Sequence, residues 1–117
     1  MTKSKQPRKQ RFDRYNAPFH KRIKYLKVTL STELRKKYNR RTAIIQKDDT
    51  VRVMCGDFKG HEGKVQKTYV KKEAVAVDGV VVAKSDDTEV ERPIHPSNLM
   101  ITKLNLQDNH REQILNR

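Results

Sequence analysis

Eleven side chains in the first 47 residues, Arg8, Arg11, Arg14, Lys21, Arg22, Lys24, Arg35, Lys36, Arg40, Arg41 and Lys47, are the groups with the clearest chemistry to perform. That chemistry is the neutralisation of phosphates. Through Lys47 the chain carries sixteen Lys and Arg against two acids, Asp13 and Glu33, whereas residues 48 to 104 hold nine basic and ten acidic side chains. A solvated surface interleaves both signs. An excess of one sign this large, confined to one segment, is the footprint of a chain that wraps part of itself around a polyanion. Contact with about eight phosphates gives a log–log salt slope of roughly −6 to −7.

A second constellation follows. Gly56, Gly60 and Gly63 permit sharp turns and close backbone approach, so Lys59, His61 and Lys64 are expected to project from a compact loop toward a phosphate-rich surface. The same glycines could instead serve the geometry of the fold alone. Phe58 either stacks on a base or plugs the end of the β-domain. Tyr15, Phe19 and Tyr38, interleaved with the cations, either stack on unpaired bases or anchor short helices.

Catalysis finds no support. Cys55 and His61 are close in sequence, but no third group orients the imidazole, and the end of a strand is where a buried thiol is expected. His20, His61, His95 and His110 are scattered and lack companions at ligand spacing. Asp86, Asp87, Glu89 and Glu91 fall at a turn and the strand after it. The expectation is no enzyme activity, no metal, no cofactor and no small-molecule substrate.

The elements that must position these groups are few. With 117 residues, 34% apolar and no Trp, the chain has room for one small domain. The lone Cys55 excludes an internal disulfide and fits a reducing compartment. No apolar run is longer than Val80 to Ala83, far too short for a membrane span, and the N-terminus lacks a secretory apolar block, so a soluble, cytoplasmic protein without membrane partners is expected. Three regions are expected: a basic extension over 1–47 with two short helices, a β-domain over 48–104, and a C-terminal tail or helix over 105–117.

Within the extension, residues 2 to 14 show no apolar period and read as an extended tail, and the whole arm is expected to order only on its ligand. Asn16 is placed as the cap of a helix starting near Pro18, with Phe19, Ile23 and Leu26 at helical spacing. A second helix is expected from a Ser31 cap through Tyr38, with Asn39 as its left-handed stop and Leu34 and Tyr38 facing inward. After Lys47 the period becomes two-fold. Strand character is expected at Val51 to Val53, at Lys64 to Val70 with a bulge near Lys67, and at Leu99 to Leu104. Asp78-Gly79 predicts a type I′ hairpin that pairs Val77 with Val80, Val75 with Val82 and Glu73 with Lys84. Asp86-Asp87-Thr88 makes a further turn, and Asp108 to Arg117 reads as a frayed helix held by Ile114 and Leu115. Five short strands in under sixty residues imply a mainly β fold, a small barrel.

The run Asp49-Thr50-Val51-Arg52-Val53-Met54-Cys55-Gly56-Asp57-Phe58-Lys59-Gly60-His61-Glu62-Gly63-Lys64-Val65 resembles the KOW motif of ribosomal proteins and transcription elongation factors. The segments Leu30 to Tyr38 ahead of it and Arg92 to Leu104 after it resemble one branch, the archaeal type of large-subunit ribosomal protein twenty-four, the counterpart of eukaryotic protein twenty-six. The likeness covers roughly residues 8 to 104, and Gln66, Lys67 and Thr68 depart from it by being less apolar than expected. It implies an SH3-like barrel, binding to large-subunit ribosomal RNA early in assembly, neighbouring ribosomal proteins as partners, and a position near the polypeptide exit tunnel. The alternative is a KOW-domain transcription elongation or RNA-processing factor. Such factors carry a mixed α/β domain where this chain has a basic arm.

Overall fold

The computed structural model describes residues 3–117. Pro7, at the first turn where its missing N–H is harmless, opens helix α1, Pro7–Tyr15. The segment expected to be an extended tail is therefore helical over most of its length. Arg, Lys and Gln are strong helix formers, and the short helix they favour is held near its C-terminal end by contacts of Arg14 and of the Tyr15 carbonyl rather than by an apolar stripe. Asn16 closes this helix instead of opening the next, since its backbone N–H and its Nδ2 both donate to the Phe12 carbonyl at 3.0 and 2.9 Å. Helix α2, Phe19–Arg22, follows Pro18 and tightens into a 3₁₀ turn over Ile23–Leu26. Helix α3, Thr32–Tyr38, forms as expected, with the Ser31 hydroxyl accepting from Leu34 N–H and Asn39 at φ 52°.

The strands are β1 (Lys27–Leu30), β2 (Thr42–Ile44), β3 (Thr50–Val53), β4 (Glu62–Tyr69), β5 (Ala74–Val77), β6 (Val81–Ala83), β7 (Glu89–Glu91) and β8 (Leu99–Lys103), and helix α4 (Asn109–Leu115) ends the chain. Six strands form a mixed sheet in the order β2-β1-β8-β3-β4-β5, and β6 and β7 pair separately. The protein is mainly β, and strand pairing among the described residues does not close the sheet into a barrel. Two of the six strands, β1 and β2, come from the basic arm. Strand β1 lies parallel to β8, with Leu30 opposite Ile101, and antiparallel to β2, with Val28 opposite Ala43. Leu26, Val28, Leu30 and Ile45 are buried with Val51, Val53, Val65, Leu99 and Ile101 in one core. The expectation that the whole arm orders only on its ligand is thus corrected for residues 26 to 45, whose alternating apolar side chains complete the core.

Strand β4 carries the expected irregularity, a register shift between Val65 and Lys67. The Asp78-Gly79 turn also exists, but the hairpin does not. Gly79 has φ +84° while Asp78 is not among the positive-φ residues, a type II pattern that splays the flanking strands where type I′ would align them. With the strands splayed, β5 lies against β4 and β6 against β7, and Val81 and Val82, 37% and 40% exposed, point away from the core that buries Val75, Val77 and Val80. The expected turn at residues 86 to 88 closes the β6–β7 ribbon, with Asp87 at φ 65°.

Helix α4 is anchored differently from expectation. Leu115 is buried, but Ile114 is 45% exposed, and the second anchor is Arg111. Its guanidinium makes a bidentate pair with the fully buried Asp49 carboxylate at 2.5 and 2.6 Å and donates to the Ile44 and Asn105 carbonyls, each at 3.0 Å. Asp49 also accepts from the backbone N–H groups of Gln46 at 2.9 Å and Asn105 at 2.8 Å. Four hydrogen bonds on two carboxylate oxygens, two of them from one fork, satisfy the buried charge.

Candidate nucleic-acid interface

The cations of the arm fall into two sets. Arg14 bonds Glu73 through two nitrogens, one at 3.3 Å, and lies over the Tyr25 ring at 4.8 Å. Its hydrogen bond to Glu73 holds its pKa above the ordinary arginine value, with burial opposing. Arg22 donates from Nε to the Ala17 carbonyl at 3.0 Å, from one terminal nitrogen to the Lys71 carbonyl at 3.4 Å, and from the other to the Tyr15 carbonyl. Arg35 donates to the Leu30 carbonyl at 2.9 Å, tying α3 to β1. Of these three arginines, all expected at phosphates, Arg14 and Arg22 reach beyond the arm to the domain and Arg35 braces the arm internally. Arg14 and Arg22 dock α1 and α2 on the turn that links β4 to β5.

Arg8, Arg11, Lys21, Lys24, Lys36, Arg41 and Lys47 are exposed, and none bonds another side chain or a carbonyl among the described residues. Arg40 is half-buried, and its Nε is buried without a partner among the described residues. Lys47 belongs to the turn before β3. Asp48 N–H donates to the Val65 carbonyl at 3.0 Å, which sets Lys47 beside the strand that carries Lys64.

The glycine loop is more dispersed than its sequence suggests. Gly56 and Gly60 take φ +92° and +88°, so the loop needs their freedom, and Lys59 is exposed between them. Gly63 has a different reason: a Cβ there would stand 2.6 Å from the Asp78 carbonyl oxygen and 3.2 Å from Val77 Cγ1. Lys64 lies on β4 opposite Thr50, outside the loop. The half-buried His61 ring is turned toward the Asp78-Gly79 turn, with Nε2 2.8 Å from the Asp78 carbonyl oxygen. Phe58 packs on the core, and the Arg92 guanidinium, bonded to Asp57 at 3.0 Å, sits 5.8 Å from its ring centroid. Cys55 is exposed, contrary to the expected buried thiol, because the strand ends at Val53 and the chain has already left the sheet.

The aromatics of the arm resolve likewise. Tyr38 is half-buried, with Lys37 5.3 Å from its ring centroid. Tyr15 and Phe19 are 67% and 59% exposed, Phe19 beside residues 68–72 at the turn between β4 and β5, and Phe12, which was not expected at the interface, is 70% exposed. Its signal lay in the three-residue spacing of Phe12 and Tyr15, one face of a helix. The described residues include no group of three His, Cys, Asp or Glu that could hold a metal ion, and no helix long and apolar enough to cross a membrane.

Comparison with known proteins gives a consistent result. Residues 4–117 match the family described as the eukaryotic ribosomal proteins L26 and their archaeal L24 counterparts. The chain is 54% identical over 114 residues to the large ribosomal subunit protein uL24 of Methanothrix thermoacetophila, covering 97% of this chain and 98% of the relative. It is 56% identical over 108 residues to the uL24 of Methanosarcina barkeri, covering 92% and 93%. The uL24 of Methanoculleus marisnigri is 55% identical over 112 residues, covering 96% and 93%.

Proposed function

The chain belongs to the family of eukaryotic L26 and archaeal L24 ribosomal proteins, and from that premise we propose that it is a structural, non-enzymatic constituent of the large ribosomal subunit that binds ribosomal RNA. The observation that carries the reading is the set of exposed, unbonded cations Arg8, Arg11, Lys21, Lys24, Lys36, Arg41 and Lys47. Counterion release at these positions supplies affinity, and the sheet with its glycine loop sets orientation. Lys59 and Lys64 extend the same surface chemistry onto the motif that resembles KOW. The half-buried Arg40 and the His61 imidazole contribute at its margins, and Arg14, Arg22 and Arg35 act chiefly by holding the arm in shape.

The finer reading follows the family likeness: an SH3-like arrangement around the KOW motif, a cytoplasmic ribosomal location near the polypeptide exit tunnel, incorporation early in assembly, and neighbouring ribosomal proteins as further contacts. Gradient sedimentation of a cell extract tests the location, since the protein should travel with large subunits after a high-salt wash and not with polymerase. A salt titration tests the mechanism. Replacing Arg8 and Arg11 together by Gln should lower the magnitude of the log–log slope by about 1.4 to 1.8, and an unchanged slope would refute their assignment.

A further inference from the structure

Helix α1 buries none of its residues, so folding leaves its aromatic side chains unused. Its attachments are polar: Arg14 to Glu73 and to the face of Tyr25, and the Tyr15 carbonyl to Arg22. A helix held this way stands as a wall. Between it and the α2 segment lies a cleft of about 510 Å³, with Phe12 and Tyr25 as aromatic walls and Lys21, Lys24 and Lys27 around it. Asp13 is the single acid on its lining. The three lysines are exposed and their ammonium groups bond nothing among the described residues, whereas one face of Tyr25 is already covered by Arg14. Phe12, 70% exposed, offers a free ring.

The geometry points to a binding site for one unpaired RNA nucleotide, its base stacked on Phe12 and its phosphates held by Lys21, Lys24 and Lys27. Three attributes of the cleft select this occupant. Three cations against one acid call for an anion. An exposed aromatic ring calls for a planar group that gains from stacking. The volume lies in the range that encloses a small ligand, which suits a single nucleotide and excludes a helix. A base inside a duplex cannot present its face to Phe12, so the nucleotide must come from a loop, a bulge or a single strand. The inference rests on the RNA-binding reading above and adds to it a preference for unstacked RNA that counterion release alone does not give.

The test uses the full chain and two probes of equal length, a single-stranded oligoadenylate with 2-aminopurine at its centre and a blunt RNA duplex. Phe12→Ala leaves the fold intact, because the side chain is exposed and Ala is the better helix former; circular dichroism checks this. Expected are a roughly five- to 150-fold loss on the single strand with an unchanged salt slope, loss of 2-aminopurine quenching, and little change on the duplex. Phe12→Leu, which keeps apolar bulk without a π-face, should behave like Phe12→Ala. Equal losses on both probes, no loss on the single strand, or full rescue by Leu would overturn the site while leaving general RNA binding standing. Wild-type protein that binds neither probe would instead bring down the RNA-binding reading itself. Loss of Phe12→Ala from assembled subunits with naked RNA unaffected would assign the cleft to a protein neighbour and overturn the inference.

Discussion

Arg111→Met tests whether the C-terminal helix is part of the folded unit. The substitution removes a 5%-exposed guanidinium from a carboxylate that is 0% exposed, keeping the apolar bulk of the side chain. Breaking a buried pair by deleting one partner typically costs about 3–5 kcal/mol, because the remaining charge stays uncompensated. Here the Asp49 oxygens keep the N–H groups of Gln46 and Asn105, so the lower end, about 3 kcal/mol, is expected. For a domain near this size that lowers Tm by about 12 °C or more. Thermal unfolding by circular dichroism reads the loss, and hydrogen exchange should show residues 109–115 losing protection before the sheet. Asp49→Asn should also destabilise, and the double variant should fall well short of the sum, with a coupling of about 2 kcal/mol. A Tm for Arg111→Met within about 2 °C of the wild type, or strict additivity with Asp49→Asn, would refute the claim that this pair latches α4 to the sheet.

Three further outcomes are expected. Removal of residues 1–25 should leave a cooperatively folding sheet with weakened RNA binding, whereas removal of residues 1–47 also strips Leu26, Val28, Leu30 and Ile45 from the core and should abolish cooperative unfolding in a urea titration. Gly63→Ala drives a methyl group against the Asp78 carbonyl and should destabilise by about 1–3 kcal/mol, read from the shift in denaturation midpoint. Tyr69 donates to Glu91 at 3.0 Å, and this hydrogen bond raises the phenol pKa, so the contact contributes below the unfolded phenol value and is lost as pH rises through the raised one; Glu91→Gln should shift the ultraviolet titration of Tyr69 downward.

Legibility in the sequence followed the strength of local signals. The second arm helix was readable because Ser31, Glu33 and Asn39 each act within one turn, and the β4 irregularity because Lys67 interrupts a two-residue period. Strand β1 escaped because Lys27-Val28-Thr29-Leu30 is only four residues long, sits in a run of cations, and finds its partner β8 some seventy residues away in a parallel pairing that no local pattern announces. The hairpin failed for a related reason: Asp-Gly fixes that a turn forms, but the choice between types I′ and II was decided by β5 pairing with β4. At the interface, sequence located the cations but could not say which are occupied. Arg111 was readable only in part, since its spacing from Leu115 puts both on one helical face while its partner Asp49 is fixed by tertiary structure.

The division between occupied and free cations has a chemical basis. The arm cations that bond the chain's own carbonyls and carboxylates, Arg14, Arg22 and Arg35, are all arginines, and the arm lysines Lys21, Lys24, Lys36 and Lys47 make no such bonds among the described residues. A guanidinium presents several N–H donors in a rigid plane and can reach separate carbonyls at once, as Arg22 does at residues 15, 17 and 71, whereas an ammonium is a strongly hydrated point charge. Charge count alone therefore misjudges the arm. Arg22→Lys preserves the net charge yet should lose most of this bridging and destabilise by about 1–2 kcal/mol, with little change in RNA salt slope. Lys24→Arg at an exposed, unbonded position should leave stability within about 0.5 kcal/mol. Indistinguishable thermal midpoints for these two charge-conserving variants would show that the arm arginines act only as charges, and the separation into holding and binding cations would fail.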